Sequence, residues 1–121
     1  MQGLNIHTEQ GNYVICLPGS GTISSEKDVN DLLSFVFEIK SSGLVIFETE
    51  LDPDFFDLKT GLLERIFLQL STSQIKTAFI VDDRKIVDKS FLELMKNQEK
   101  SAEIRFFKTL TNAEKWLFTP R

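Results

Sequence analysis

Apolar and polar residues along the chain follow two periodicities, which together predict an order of strands and helices. Leu4–Thr8 alternates apolar and polar residues, as a half-buried strand does, and Tyr13–Leu17 follows the turn residues Gln10–Asn12 as an apolar strand. We therefore expect these two segments to pair as an antiparallel hairpin. Three later runs are rich in apolar and β-branched residues and predict strands that are buried inside a sheet: Leu44–Phe47, Ile75–Val81 and Ile104–Phe107.

Apolar residues at helical spacing predict a helix after the hairpin and a second helix after the third strand. Ser24 or Ser25 is expected to cap the first helix, and Gly43 to end it in the left-handed conformation. The second helix has an apolar stripe on one face: Leu62, Leu63, Ile66, Phe67 and Leu70.

Two more helices are predicted in the last third of the chain. Asp88 or Ser90 begins the third helix, and Thr111 with Glu114 has the spacing of a capping box at the start of the fourth. The order is therefore β-β-α-β-α-β-α-β-α. Strands that alternate with helices predict an α/β fold with a mainly parallel sheet, to which the N-terminal hairpin adds an antiparallel edge. We expect residues 1–121 to form one domain.

Composition narrows the classes of partner. The formal net charge is -4 and the pI is near 5, whereas nucleic-acid binding requires a basic surface, so no nucleic-acid partner is expected. No apolar stretch approaches the roughly 18 residues of a membrane span, and the N-terminus lacks the pattern of a secretory signal. A single cysteine excludes an intrachain disulfide and favours a reducing compartment. These features predict a cytoplasmic protein without a membrane partner.

The residues that usually carry catalysis are sparse. His7 is the only histidine, and Cys16 lies inside the second strand, where a free cysteine behaves as a small hydrophobe. No group of residues has the spacing of metal ligands, and no glycine-rich phosphate loop is present. We therefore predict no catalytic residue, no metal and no cofactor.

The segment Asp54–Gly61 (DFFDLKTG) combines more residue types than core packing needs. It follows the third strand, where open α/β sheets place their ligands. Lys59 and Thr60 lie next to a predicted helix N-terminus, which favours an anion, whereas Asp54 and Asp57 oppose one. In the alternative, structural interpretation, the carboxylates cap the helix, the phenylalanines fill the core and Gly61 permits close packing.

A second polar cluster follows the fourth strand and contains Asp83. In a parallel sheet both clusters emerge at the same edge, which we call the carboxyl rim. The candidate ligand- or partner-binding residues are therefore Asp57, Lys59, Thr60 and Asp83.

The chain resembles a family of small bacterial proteins catalogued as domain of unknown function 4180. The likeness rests on DFFDLKTGL (Asp54–Leu62), and it continues through Lys76–Val81, Lys89–Leu92, Ile104–Phe107 and Ala113–Leu117. The resemblance implies a small, cytoplasmic, stand-alone protein and assigns no activity.

More distantly, the chain is similar to the STAS domains of anti-sigma-factor antagonists and to SpoIIAA-like proteins. The element order agrees, and Thr60-Gly61-Leu62 lies where those regulators carry a phosphorylated serine before the second helix. The resemblance implies a STAS-like fold and a phosphorylation site at Thr60. The alternative is that Thr60 is an ordinary capping residue.

Three hypotheses follow for function. The first is a non-enzymatic, STAS-like regulatory or protein-interaction module. The second is a small-ligand-binding protein or minor enzyme that uses the rim carboxylates with Lys59, so that the partner is either another protein or a small anionic ligand. The third is a structural homodimer formed through an exposed sheet or helix face.

Overall fold

The computed structural model describes residues 1–120 and contains, within them, five β-strands and four α-helices in the predicted order. The strands and helices are listed in chain order: β1 Gly3–Thr8, β2 Gly11–Cys16, α1 Glu26–Ile39, β3 Leu44–Phe47, α2 Leu62–Ser73, β4 Thr77–Ile80, α3 Lys89–Asn97, β5 Ile104–Phe107 and α4 Leu110–Leu117. Short 3₁₀ turns follow β3 and β4 and precede β5.

The five strands form one sheet in the order β1-β2-β3-β4-β5. The β1-β2 pair is antiparallel, with Leu4 opposite Ile15, and the three other pairs are parallel. The predicted α/β class, with a mainly parallel sheet and an antiparallel edge hairpin, is confirmed. Phe47 and Ile80 are paired at the ends of β3 and β4, so the loops that follow these strands emerge at the same rim.

The helices divide unequally between the two faces of the sheet. Buried residues of α1, α2 and α3 form one apolar core with one face, and α4 forms a smaller core with the other. The cause is topological: β2 to β5 follow one another in one direction across the sheet, so right-handed crossovers place all three connecting helices on the same side. Only the chain after β5 is free to cover the opposite face.

Phenylalanine dominates the larger core. Phe55, which is fully buried, lies outside every strand and helix of the sheet layers, yet its ring stacks on Phe79 of β4 at 5.2 Å between centroids. Phe67 of α2 and Phe91 of α3 lie 6.4 Å and 6.1 Å from it. Phe56 and Leu58 are partly buried against the same core. The expectation that these apolar residues of the motif fill the core is confirmed.

The end of α1 differs from the prediction. Lys40, not Gly43, takes the left-handed conformation, with φ 54°, and its N–H bonds to the carbonyl oxygen of Phe37. Gly43 is needed for another reason, since a Cβ there would lie 2.6 Å from the backbone oxygen of Lys76. The glycine therefore permits close approach of two strands instead of ending a helix.

The start of α4 also differs from the prediction. Thr109 is the N-cap, and its hydroxyl accepts from the Asn112 N–H at 3.3 Å, so the capping box of Thr111 and Glu114 does not form. The carboxylate of Glu114 instead accepts from the Tyr13 hydroxyl at 2.7 Å, a contact across the smaller core. Asp88 caps α3 as expected, accepting from the Ser90 N–H at 2.8 Å.

Truncation of Phe55 tests whether this ring holds the segment after β3 to the core. We expect Phe55→Ala to lower the free energy of unfolding in urea by about 3–5 kcal/mol, because a fully buried ring leaves a cavity. Phe37→Ala is the matched control, since that ring is 56% exposed, and it should change stability by no more than about 0.5 kcal/mol. Equal losses in the two variants would contradict the anchoring role.

Candidate functional site

The segment between β3 and α2, residues 48–61, is built from consecutive 3₁₀ turns that are held by their own acidic side chains. The Asp52 carboxylate accepts from the Asp54 N–H at 2.8 Å, and the Asp57 carboxylate accepts from the Lys59 N–H at 3.1 Å. Each acid satisfies a backbone donor that a turn leaves free. We call this segment the rim segment, and its turns are Glu48–Glu50, Pro53–Phe56 and Leu58–Thr60.

The Thr60 hydroxyl makes hydrogen bonds that connect the turns of the rim segment. Its oxygen lies 2.7 Å from the carbonyl oxygen of Asp54 and 2.9 Å from that of Asp57, so its single proton is shared between two acceptors. The same oxygen accepts from the Leu62 N–H, the first of α2, at 3.3 Å. Thr60 therefore joins two turns to the start of the helix.

The start of α2 is set by Gly61. Its φ is 75°, a left-handed conformation that favours glycine, and it directly precedes the helix. A Cβ at Gly61 would meet only the flexible end of Arg65, at 3.1 Å from Nη1. Backbone conformation, not the expected close packing, therefore requires this glycine. Asp57 caps the preceding turn and does not cap α2, in contrast to the structural interpretation of the sequence.

Three charged side chains of the rim segment are open to solvent. Asp54, Asp57 and Lys59 are exposed. Within residues 1–120, no ion pair engages any of the three, and the Asp57 carboxylate bonds only to the Lys59 backbone. The segment thus presents two carboxylates and one ammonium on a hydrogen-bonded frame.

Asp83 lies on the same rim but in a different environment. Its Oδ1 is 3.3 Å from Lys108 Nζ, an ion pair without hydrogen-bond geometry, and it lines a cavity of about 350 Å³ between α3 and β5. No hydrogen bond or ion pair among residues 1–120 joins Asp83 to Asp57, Lys59 or Thr60. The loops themselves are joined elsewhere, by an ion pair of 3.7 Å between Lys85 and Glu48. The structure brings Asp57, Lys59 and Thr60 together and leaves Asp83 apart.

Comparison with known proteins identifies the family. The model of the family described as domain of unknown function (DUF4180) matches residues 8–117, which include the whole rim segment. The chain belongs to this family. No curated protein and no solved structure matches the DUF4180 chain significantly. None of the helices within residues 1–120 has the length and apolar character that crossing a membrane requires.

The DUF4180 chain also contains a pair of neighbouring polar groups, one buried and one half-buried, that the sequence did not reveal. Cys16, at the end of β2, is 1% exposed, and its thiol lies beside the carboxyl group of Glu50 in the rim segment. Burial, followed by the neighbouring Glu50, strongly raises the pKa of the Cys16 thiol, so the sulfur stays protonated and is a poor nucleophile. Burial also raises the pKa of Glu50. The two residues are far apart in sequence, and only the parallel pairing of β2 with β3 brings them together.

The remaining candidates for catalysis are separated. His7 lies on the edge strand β1, with Nε2 3.2 Å from the side-chain nitrogen of Asn5. Within the described part of the chain, no three His, Cys, Asp or Glu residues are grouped as a metal ion would require. The rim therefore offers fixed charges and hydrogen-bonding groups to a ligand, and it does not assemble a nucleophile with a base.

Removal of the Thr60 hydroxyl tests its structural role. We expect Thr60→Val to lower the free energy of unfolding by about 1 kcal/mol or more, because two carbonyl oxygens each lose one of their donors and the Leu62 N–H loses its side-chain acceptor. Thr60→Ser keeps the hydroxyl and should retain most of that stability. Urea denaturation of the three proteins measures the difference, and equal losses in Val and Ser variants would show that the hydroxyl is not responsible.

Replacement of Glu50 tests the Cys16–Glu50 pair through the pH dependence of stability. Because the pKa of Glu50 is raised, the folded protein holds this proton more tightly than the unfolded chain, so stability contributed by Glu50 declines as pH rises above its ordinary pKa. Gln keeps an acceptor for the Phe47 N–H but cannot ionise. The free energy of unfolding of the Glu50→Gln variant should therefore rise relative to that of the wild type as the pH increases from about 4 to about 7.

The matched control for this experiment is Glu93→Gln, which removes the same charge from an exposed position on α3. Urea denaturation at each pH measures all three proteins. An identical pH dependence for the two variants would contradict a raised pKa at Glu50.

Proposed function

We propose that this DUF4180 protein is a non-enzymatic, STAS-like regulatory or protein-interaction module that binds a partner protein through the rim segment. The observation that carries the proposal is the construction of that segment. Residues 48–61 are longer than the roughly 2–6 residues that usually connect a strand to the next helix, and they form turns of their own. Here the connection is anchored by the buried Phe55 and fastened by Thr60.

A rigid segment with exposed charges is suited to recognition. Binding then costs little ordering of the segment, because its turns are already formed in the free protein. Asp54, Asp57 and Lys59 are all exposed, so the complementary surface on a partner carries basic groups together with an acidic or polar group. Protein loops of this kind, presented by a rigid sheet, frequently carry function.

The chemistry of the other polar groups favours binding over catalysis. The Cys16 thiol is buried and protonated beside Glu50, and His7 lies on the opposite edge strand with Asn5. The alternative is a ligand site that joins the rim carboxylates to Lys59. It has weaker support, because Asp83 forms its ion pair with Lys108 and not with Lys59. We place the module in the cytoplasm, in keeping with its one buried free cysteine.

We further propose that phosphorylation of Thr60 regulates partner binding by this module. A phosphate on Oγ1 removes the donor that Asp54 and Asp57 carbonyl oxygens share, and it adds negative charge beside Asp57. The expected effect is to loosen the rim segment. Modification also requires the hydroxyl to leave its two acceptors first.

The experiment is affinity capture from native bacterial lysate with charge variants that keep the turns. The double variant Asp57→Asn, Lys59→Ala retains an acceptor for the residue-59 N–H and leaves the net charge unchanged. We expect proteins captured by the wild type to be lost, at an unchanged melting temperature, and the loss to be reproduced with the purified partner by calorimetry.

The matched control is Lys27→Ala with Glu93→Gln, an equivalent charge change on α1 and α3. It should capture the same proteins as the wild type. Identical lists of captured proteins for the rim variant and this control would refute the proposed binding surface.

A further inference from the structure

A cavity of about 580 Å³ opens beside α4, at the edge strand β5 and away from the rim segment. Its walls combine apolar groups with nitrogen donors, and its volume lies within the range of about 300–1,000 Å³ that is usual for small-molecule sites. Trp116 of α4 forms the floor and is 8% exposed. Since β5 is the last strand of the sheet, no further strand closes this side.

The charge of the cavity is opposite to that of the protein. Of the residues within 1–120 that line it, none is acidic, whereas the following four are cationic: Lys76, Lys100, Arg105 and Lys115. The whole chain has 14 Lys and Arg residues against 18 Asp and Glu residues, so an even distribution of charge would place acids here as well. A cleft lined by charge of one sign concentrates its field and attracts ions of the other sign.

Arg105 is held in a fixed orientation. Its Nε donates to the Ser101 carbonyl oxygen at 2.6 Å, and its guanidinium lies 5.3 Å from the centre of the Trp116 ring. Its two terminal nitrogens have no acceptor among residues 1–120, and they form the part of the guanidinium that binds phosphate or carboxylate in a fork. The arginine is therefore oriented for an oxyanion before one arrives.

Lys76 supports the floor of the cavity. Its ammonium is 5.1 Å from the Trp116 ring centre and donates to the carbonyl oxygens of Trp116 and Thr119 at 2.8 Å and 2.7 Å. It is a positioning residue, since its donors are engaged by the end of α4. Lys100 and Lys115 are exposed at the mouth and make no ion pair within the described residues.

We propose that this cavity binds a small polyanion, a molecule with two or more phosphate or carboxylate groups. Arg105 would bind one oxyanion group through two hydrogen bonds from its guanidinium, and Lys100 and Lys115 would neutralise a second oxyanion group. Four cationic side chains and no acidic one among the described lining residues favour a ligand that carries more than one negative charge. The proposal is independent of the rim segment, which lies at the other end of the parallel strands.

Calorimetric titration at constant ionic strength tests the proposal, with pyrophosphate and citrate as probes for the two kinds of oxyanion. Trp116 is the only tryptophan of the chain, so its fluorescence reports binding at this cavity specifically. We expect saturable heat and a saturable change in fluorescence with at least one probe. Binding should weaken about tenfold or more in Lys115→Gln and in Lys100→Gln, because each removes a charge-assisted bond.

Lys27→Gln is the matched control, since it removes one positive charge from α1 on the other face of the sheet. Its affinity should equal that of the wild type, and all variants should keep the wild-type melting temperature without ligand. The proposal is overturned if neither probe gives saturable heat or fluorescence change, or if Lys27→Gln and Lys115→Gln weaken binding equally. Response to pyrophosphate alone, or to citrate alone, identifies the ligand as a phosphate or a carboxylate.

Discussion

The burial of Phe55 is the interaction on which the rest of the candidate site depends. The residue lies in a connection, yet it is fully buried and touches rings from β4, α2 and α3. Ordering a long connection costs conformational entropy at every residue. One aromatic anchor offsets part of that cost and leaves the neighbouring polar residues free to form turns. The hydrogen bonds of Asp52, Asp57 and Thr60 then determine how the exposed charges are spaced.

The strand order β2-β3-β4-β5 also determines how the opposite face of the sheet is covered. Three helices are committed to the face that contains Phe79, and the eight-residue α4 must cover the other. A short helix cannot do so alone, and the chain supplements it with polar contacts across the smaller core. Tyr13 bonds to Glu114, and Lys76 bonds to the carbonyl oxygens at the end of α4. These contacts hold the helix that forms one wall of the cationic cavity.

Much of the fold could be predicted from the sequence because it is set by local patterns and by the handedness of crossovers. The apolar runs of β3, β4 and β5 are visible without a structure, and so is the hydrophobic stripe of α2. Helix ends were harder, because several residues compete for each cap. Thr111 and Glu114 have the spacing of a capping box, yet Thr109 caps α4 and Glu114 bonds to Tyr13 instead. Gly43 was expected at a helix end, whereas the nearness of two strands explains it.

The site was only partly predictable, because side chains meet through pairing that no local pattern specifies. Asp57, Lys59 and Thr60 are adjacent in sequence and stay together, whereas Asp83 shares their rim and pairs with Lys108 instead. Cys16 of β2 meets Glu50 of the rim segment, and Lys76, Arg105 and Trp116 come together from three separate parts of the chain.

The net charge of the whole chain does not indicate which ions a given surface attracts, because folding distributes the charges unevenly. The value of -4 argues against anionic partners only if charge is spread evenly. Acids are instead concentrated in the segment that follows β3, and cations gather beside β5, next to residues that precede β4 and β5. Charges of opposite sign therefore predominate in the rim segment and among the described residues that line the cavity. An acidic chain can in this way attract basic groups at one surface and anions at another.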